Sequence, residues 1–316
     1  MIRLALSSVF YLFIVFFAHK TLADEAFITA QNGQSLDIID LTSMTKRLSV
    51  PIAGKPAGVA LSKDGRRVFV TSPEGHFVTI VDRKAGRIEK QIPVKGGPLG
   101  IAVTRAGERL YVTDFYGDML VEIDLITQKQ RYLPIGAKPA GLALTLDEKT
   151  LLVAARDDNQ IIFVDLNEFS RLDQLAVGRH PYGVTIDADG RRAYVANVES
   201  DSVSVIDLAS RKAIAQLKVE SHPYGIALAS GRIFISNQHS ESLSVFDAKD
   251  LTHVATVAVG DNPEGVCASL DGATIYVANW FSNDLWAIDA ATLKVRAKTA
   301  TSDGPRAFGP FVAPAP

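Results

Sequence analysis

A Pro-x-Gly tripeptide, or a close variant of it, recurs seven times and constrains the fold more than any other feature of the chain. Successive prolines are 40 to 42 residues apart over most of the 316 residues. A period this regular indicates an internal structural repeat. The seven prolines are Pro56, Pro98, Pro139, Pro181, Pro223, Pro263 and Pro305.

Each repeat contains four short segments in which apolar and polar residues alternate as they do in strands. The tripeptide leads into an apolar run such as GIAL (225–228), and an Asp-Gly turn such as DADGRR (187–192) follows. The second, third and fourth segments are of the types AYVA (193–196), VSVID (203–207) and AIAQLKV (213–219). Four antiparallel strands in about 40 residues are the size of one propeller blade.

The two ends of the repeat region complement each other. The N-terminal part supplies three strand patterns, AFITA (26–30), LDIID (36–40) and KRLSV (46–50), without the Pro-x-Gly strand. The C-terminal part, GPRAFGPFV (304–312), supplies that strand alone. Residues 24–316 are therefore predicted to form a single all-β domain, a seven-bladed β-propeller whose last blade is shared by both ends of the chain.

Several segments resemble a known family. AYVAN (193–197), IYVAN (275–279), SVSVIDL (202–208) and SHPYGIAL (221–228) look like the repeats of YVTN-type β-propeller proteins, many of which bacteria export. The likeness covers about 26–312 and implies the fold but no particular activity. The blades also resemble propeller subunits that accompany quinone-dependent amine and alcohol dehydrogenases and, more loosely, propeller lactonases and lyases.

The first 23 residues have the layout of a secretory signal peptide. Arg3 precedes an apolar run over 4–18, and small residues stand at Thr21 and Ala23. The alternative is an uncleaved anchor, but the run is shorter than the roughly 20 residues that a spanning helix needs. We expect cleavage after Ala23, a periplasmic or secreted protein, and no stable membrane span.

Charge and cysteine content exclude some partners. Removing 1–23 takes away two basic residues and no acidic one, which changes the formal net charge from −2 to −4. Nucleic acid is thus a poor partner, because its binding depends on clustered Lys and Arg.

Cys267 is the single cysteine, so no internal disulfide is expected. No CxxCH haem motif occurs, and we predict a monomer without a cofactor.

Comparison of the seven repeats distinguishes residues with a structural role, which recur at the same position, from candidate site residues, which do not. An aspartate ends every third strand and is predicted to accept backbone N–H groups in a turn. Cys267 stands where most other blades have Ala, which favours a small buried thiol over a nucleophile. The seven aspartates are Asp40, Asp82, Asp124, Asp165, Asp207, Asp247 and Asp289.

Residues flanking the prolines vary and are the candidate ligand or partner site. The residue after proline is apolar in three consecutive blades and then Tyr182, Tyr224, Glu264 and Arg306. In a closed ring these four residues form one polar arc at the mouth of the channel. The HPYG segments at 180–183 and 222–225 add His180 and His222 before the proline.

Loops between the second and third strands are expected on the same face as this arc. They carry Trp280 and Phe281 in one blade and Phe115 and Tyr116 in another. Exposed aromatic rings at loop tips are typical of a contact surface, and rings folded back onto the protein are the alternative.

Three functions are compatible with these residues. A metal site formed by His180, His222 and Glu264 lacks any supporting motif, so no metal is predicted. A lactonase or lyase would use His, Glu264 and Arg306 as base, acid and electrophile. A non-catalytic binding or scaffold protein, which holds a small polar or anionic ligand or docks a protein partner, requires less and is the preferred prediction. An accessory role in a periplasmic oxidoreductase system is one option for it.

Overall fold

The computed structural model describes residues 24–314 and contains seven four-stranded antiparallel sheets arranged around one axis. The predicted seven-bladed propeller is confirmed. The described residues include two single-turn 3₁₀ helices, Val198–Ser200 and Gln238–Ser240. The signal peptide predicted over 1–23 lies outside the described residues.

Six complete blades follow one another along the chain, each built from four consecutive strands with the inner strand first. Blade 2 consists of β4 Val59–Leu61, β5 Arg67–Ser72, β6 Phe77–Asp82 and β7 Arg87–Pro93. Blade 3 consists of β8 Pro98–Val103, β9 Arg109–Asp114, β10 Met119–Asp124 and β11 Gln130–Pro134. Blade 4 consists of β12 Pro139–Leu144, β13 Thr150–Ala155, β14 Gln160–Asp165 and β15 Ser170–Ala176.

The remaining complete blades repeat this order without an intervening domain. Blade 5 consists of β16 Pro181–Ile186, β17 Arg192–Asn197, β18 Ser202–Asp207 and β19 Lys212–Lys218. Blade 6 consists of β20 Pro223–Ala229, β21 Arg232–Asn237, β22 Ser242–Asp247 and β23 His253–Ala258. Blade 7 consists of β24 Pro263–Ala268, β25 Thr274–Asn279, β26 Asp284–Asp289 and β27 Val295–Ala300. We name the end of the ring with the Pro-x-Gly segments the loop face, and the opposite end, with the Asp-Gly turns, the turn face.

Blade 1 is composite, as predicted. Strands β1 Glu25–Ala30, β2 Ser35–Asp40 and β3 Thr45–Pro51 come from the N-terminal part, and β28 Val312–Ala313 pairs antiparallel with β1. The prediction of a continuous strand over 304–312 is wrong. Apart from single bridges at Pro305 and Phe308, that segment is irregular as far as Phe311, and only its last residue, Val312, belongs to β28. Gly309 has a φ of +124° and Pro310 has no N–H to donate, so both interrupt regular pairing.

Backbone hydrogen bonds nevertheless join the irregular segment to β1. Phe27 N donates to Phe311 O at 2.8 Å, and Arg306 N donates to Thr29 O at 2.7 Å. Buried Arg83, from blade 2, donates to the Glu25 carboxylate at 2.7 Å and to the carbonyl oxygen of Pro314 at 2.5 Å. One guanidinium thus ties both ends of the described chain to the next blade.

The core lies between blades, because the second and third strands of each blade are covered on both sides by neighbouring sheets. β5 and β18, for example, are buried at every interior position, whereas outer strands such as β7 are largely exposed. Burial of β-branched and aromatic side chains at each interface provides the main stabilisation.

Hydroxyl groups also connect neighbouring blades near the axis. Thr71 accepts the N–H of Gly58 in its own blade at 2.8 Å and donates to Leu99 O of the next blade at 2.6 Å. Gly58 is required there, because a Cβ would lie 2.2 Å from that carbonyl oxygen. The same bridge is made by Thr29, Thr113 and Ser236.

The turn-forming role predicted for the seven aspartates is confirmed. Asp289 Oδ1, for example, accepts the N–H groups of Ala291 at 2.9 Å and Thr292 at 2.6 Å. Both contacts are also made by Asp40, Asp124, Asp165 and Asp247, and the second of them by Asp82 and Asp207. Cys267 packs beside the core of blade 1, and burial raises the pKa of its thiol, which does not suit a nucleophile.

Within residues 24–314, none of the helices has the length and apolar character that crossing a bilayer would take.

Candidate functional site

The four residues of the predicted polar arc meet at the axis near the loop face. Arg306 Nη2 donates to the Tyr182 hydroxyl at 3.0 Å, and Arg306 Nε lies 2.9 Å from Glu264 Oε2. The Tyr182 ring packs against those of Tyr224 and Phe308, with centroids 4.5 and 4.9 Å apart. We call these five residues the axial plug.

Burial makes the axial plug different from an open rim. Tyr182 is 4% exposed and Glu264 3%, and the Arg306 side chain is 12% exposed. The tyrosine rings pack with Leu99 and Val198 in one apolar cluster. The sequence therefore predicts which residues meet, whereas the structure shows that they are buried against one another instead of lining an open channel mouth.

Glu264 is the plug residue whose titration is moved to near neutrality. Burial raises its pKa to about 7, although the positive charge of Arg306 and a hydrogen bond from Gln238 Nε2 at 2.7 Å act in the opposite direction. Burial also raises the pKa of Tyr182 and Tyr224, so both phenols stay protonated at neutral pH. A carboxyl group that titrates near neutrality could serve as a general acid or base.

A second layer of side chains covers the plug from the loop face. These side chains come from the first residue after each second strand. Gln31 Oε1 accepts a hydrogen bond from Arg306 at 3.4 Å, and the Trp280 ring lies 5.2 Å from the Arg306 guanidinium carbon. Phe115 and Val198 pack against the apolar side of the plug.

The aromatic loop tips divide between the two predicted roles. Phe115 and Trp280 are half-buried and fold over the plug. Their neighbours point outward, since Tyr116 is 54% exposed and Phe281 70% exposed. Lys138 Nζ lies 5.3 Å from the Phe115 ring centroid and 5.5 Å from that of Tyr116, which adds a cation to this aromatic tip.

The backbones of His180 and His222 have a structural role, and their rings are half-buried. Both lie in the left-handed region, with φ of 51° and 58°, as Lys55, Lys138 and Asn262 do at the equivalent positions. The N–H of His180 donates to Asn159 Oδ1, and that of His222 donates to Asp201 Oδ1, both at 2.9 Å. Side chains of the preceding blade thus hold each turn before its proline.

The histidine rings lie outside the plug and close to a carboxylate. Glu199 Oε1 is 3.9 Å from His180 Nδ1 and 3.7 Å from His222 Nε2, and the His239 ring stacks on His222 at 3.7 Å. The structure does not join Glu264 to these histidines, because that carboxylate is held by Arg306 and Gln238. No group of three or more His, Cys, Asp or Glu in the described part of the chain is arranged to hold a metal ion.

Sequence reasoning missed four residues at this end of the ring. Phe308 is the one aromatic residue at a position where the other blades have Val, Ile or Leu, so the repeat itself contained a signal for it. Gln238 occupies the position of Trp280 and Phe115, and comparing loops would have placed it above the plug. Glu199 and His239 lie in loops whose conformation the repeat does not determine.

Comparisons with known proteins support the fold alone. No family model matches the chain, and no curated protein matches it. A chain described as Kuenenia stuttgartiensis hydrazine synthase has a TM-score of 0.74 at 20% identity, covering 80% of this chain and 89% of that one. A protein of unknown function from Desulfotomaculum acetoxidans DSM 771 has a TM-score of 0.78 at 12% identity, covering 93% and 99%. The YVTN resemblance stays a prediction.

Proposed function

We propose that this propeller is an exported, non-catalytic binding protein that docks a protein partner through its loop face. The observation that carries the proposal is the pair of exposed aromatic tips, Tyr116 in blade 3 and Phe281 in blade 7. The histidines and Glu199 lie on the blades between them. Aromatic side chains that are exposed on a rigid support are typical of protein-binding surfaces.

Both tips are held rigidly, which reduces the entropy lost on docking. Phe281 N donates to Asp261 O at 3.2 Å, and Phe115 N donates to Gly97 O at 2.9 Å. Each loop is therefore fixed to the segment that leads into the inner strand of its own blade. A partner would meet a surface whose backbone is already in its bound conformation.

The state of the plug favours binding over catalysis. Arg306 and Glu264 form an ion pair, Arg306 also donates to Tyr182, and Glu264 also accepts a hydrogen bond from Gln238. A substrate would have to separate a buried ion pair before either group could act on it.

Site-specific crosslinking in the native cell tests this function. A photoreactive amino acid replaces Phe281 or Tyr116, and Ile126 provides a matched control because it is 73% exposed on the turn face. We expect one discrete adduct from both loop-face positions and none from position 126. Equal labelling from all three positions, or no adduct, would contradict docking at this face. Cell fractionation and N-terminal sequencing of the same samples test export and cleavage after Ala23.

A lactonase or lyase is the second candidate, favoured by the pKa of about 7 for Glu264. It predicts that the purified protein turns over a lactone or uronate-type substrate and that Glu264→Gln abolishes turnover. Because the amide keeps the size of the side chain, the fold should survive this substitution. Turnover that disappears with Glu264→Gln would replace the binding proposal with the enzymatic one.

A further inference from the structure

A cavity lined by inner strands lies below the plug, on the side of the ring away from the predicted site. It has a volume of about 560 Å³ and is bordered by all seven blades. Its wall is aliphatic and includes Leu61, Val103, Leu144, Ile186 and Leu228, each only partly buried. Small-molecule sites in proteins typically have volumes of 300–1,000 Å³ and mostly apolar walls.

The cavity is closed at one end and open at the other. Phe308 and Glu264 border the inner end, where the plug seals the axis. Leu146 and Ala188, in exposed turns, border the opening on the turn face. Four residues of inner strand at about 3.3 Å each make the cavity roughly 13 Å deep, so it suits a chain-like molecule that enters from the turn face.

The polar side chains of the wall are already paired. Thr185 donates its hydroxyl to Ile226 O at 2.8 Å, and Glu264 is held by Arg306 and Gln238. A polar head group would therefore gain little at the closed end and would remain at the opening. There Arg105 Nη2 donates to Leu146 O at 3.1 Å, which brings a cation to the rim.

From this arrangement we infer that the axial cavity binds an unbranched aliphatic chain with an anionic end group, such as a fatty acyl carboxylate, with the chain inside and the carboxylate near Arg105. Transfer of each methylene from water to this wall is favourable by about 0.8 kcal/mol. The cavity is separate from the loop face, so this inference stands or falls independently of partner docking.

Isothermal titration calorimetry with dodecanoate, below its micelle concentration, tests the inference on the mature protein. We expect one site per chain and a negative heat-capacity change, the sign of apolar burial. Leu146→Glu should weaken binding about tenfold or more, because it puts a carboxylate at the opening. Leu146 is 46% exposed, so the substitution should leave the fold intact.

Leu270→Glu is the matched control. Leu270 is the counterpart of Leu146 in blade 7, is 58% exposed, and does not border the cavity. It should leave the affinity for dodecanoate unchanged. Absence of binding, or equal effects of the two substitutions, overturns the inference. Dodecanol tests the end group: weaker binding than dodecanoate supports it, and equal binding overturns the role of Arg105.

Discussion

The two halves of the ring hold their inner strands together by different means. In blades 2 to 4 the residues after proline are Ala57, Leu99 and Ala140, and each of their carbonyl oxygens accepts a hydroxyl from the preceding blade. In blades 5 to 7 and 1 the corresponding residues are Tyr182, Tyr224, Glu264 and Arg306. Three of the four preceding hydroxyl positions there are alanine, namely Ala154, Ala196 and Ala278.

Side chains of the plug replace these bridges in the second half. The Arg306–Tyr182 hydrogen bond joins blade 1 to blade 5 across the axis, and the Arg306–Glu264 ion pair joins blade 1 to its neighbour, blade 7. The apolar half is thus joined between neighbours through the backbone, and the polar half is joined across the ring through long side chains. The hydroxyl position of the second strand can therefore be alanine in some blades, because side chains at the position after proline supply the contact between blades that the hydroxyl would have made.

Removing the central cation of the plug should have the largest effect. Arg306→Ala leaves the buried Glu264 carboxylate without its partner, and we expect a loss of about 3–5 kcal/mol in the free energy of unfolding. Denaturant titration at pH 8 measures it. Arg67→Ala, which breaks the exposed pair with Glu89, is the control and should cost about 1 kcal/mol or less. Equal losses would show that the plug is not a structural element.

The pH dependence of stability should come from the polar half. Because the pKa of Glu264 is raised from 4.5 to about 7 in the folded protein, its contribution to stability is complete below pH 4.5. It is lost as the pH rises through 7, by at most about 3 kcal/mol. Glu264→Gln should flatten the unfolding free energy over this range. An unchanged pH profile in that variant would show that Glu264 is not the responsible group.

In the apolar half, loss of one bridging hydroxyl should have a smaller effect. Thr71→Val removes the partner of both Gly58 N–H and Leu99 C=O, and we expect a loss of about 2 kcal/mol in unfolding free energy. The exposed residue Thr42 supplies the control, Thr42→Val, which should change stability by less than about 0.5 kcal/mol. A negligible effect of Thr71→Val would leave core packing alone as the link between these blades.

The sequence predicts the fold well, because seven copies of each signal point to the same strand. The error at 304–312 arose in the copy that departs most from the other six, where Pro310 was a signal against a regular strand. The repeat also predicts which residues of the candidate site share one level of the ring. It does not predict how their side chains fold across the axis, since contacts such as Tyr182 to Arg306 join positions 124 residues apart.

The composite sheet has a consequence for biosynthesis. Until Val312 and Ala313 leave the ribosome, Ala26 has no strand partner on its inner side, and six finished sheets stand as an open arc with two bare edges. Bare edges readily pair with other chains. A polypeptide in which Val312 and Ala313 have not yet paired with β1 is therefore more prone to aggregate than the closed ring, and a chaperone would help most before that pairing forms.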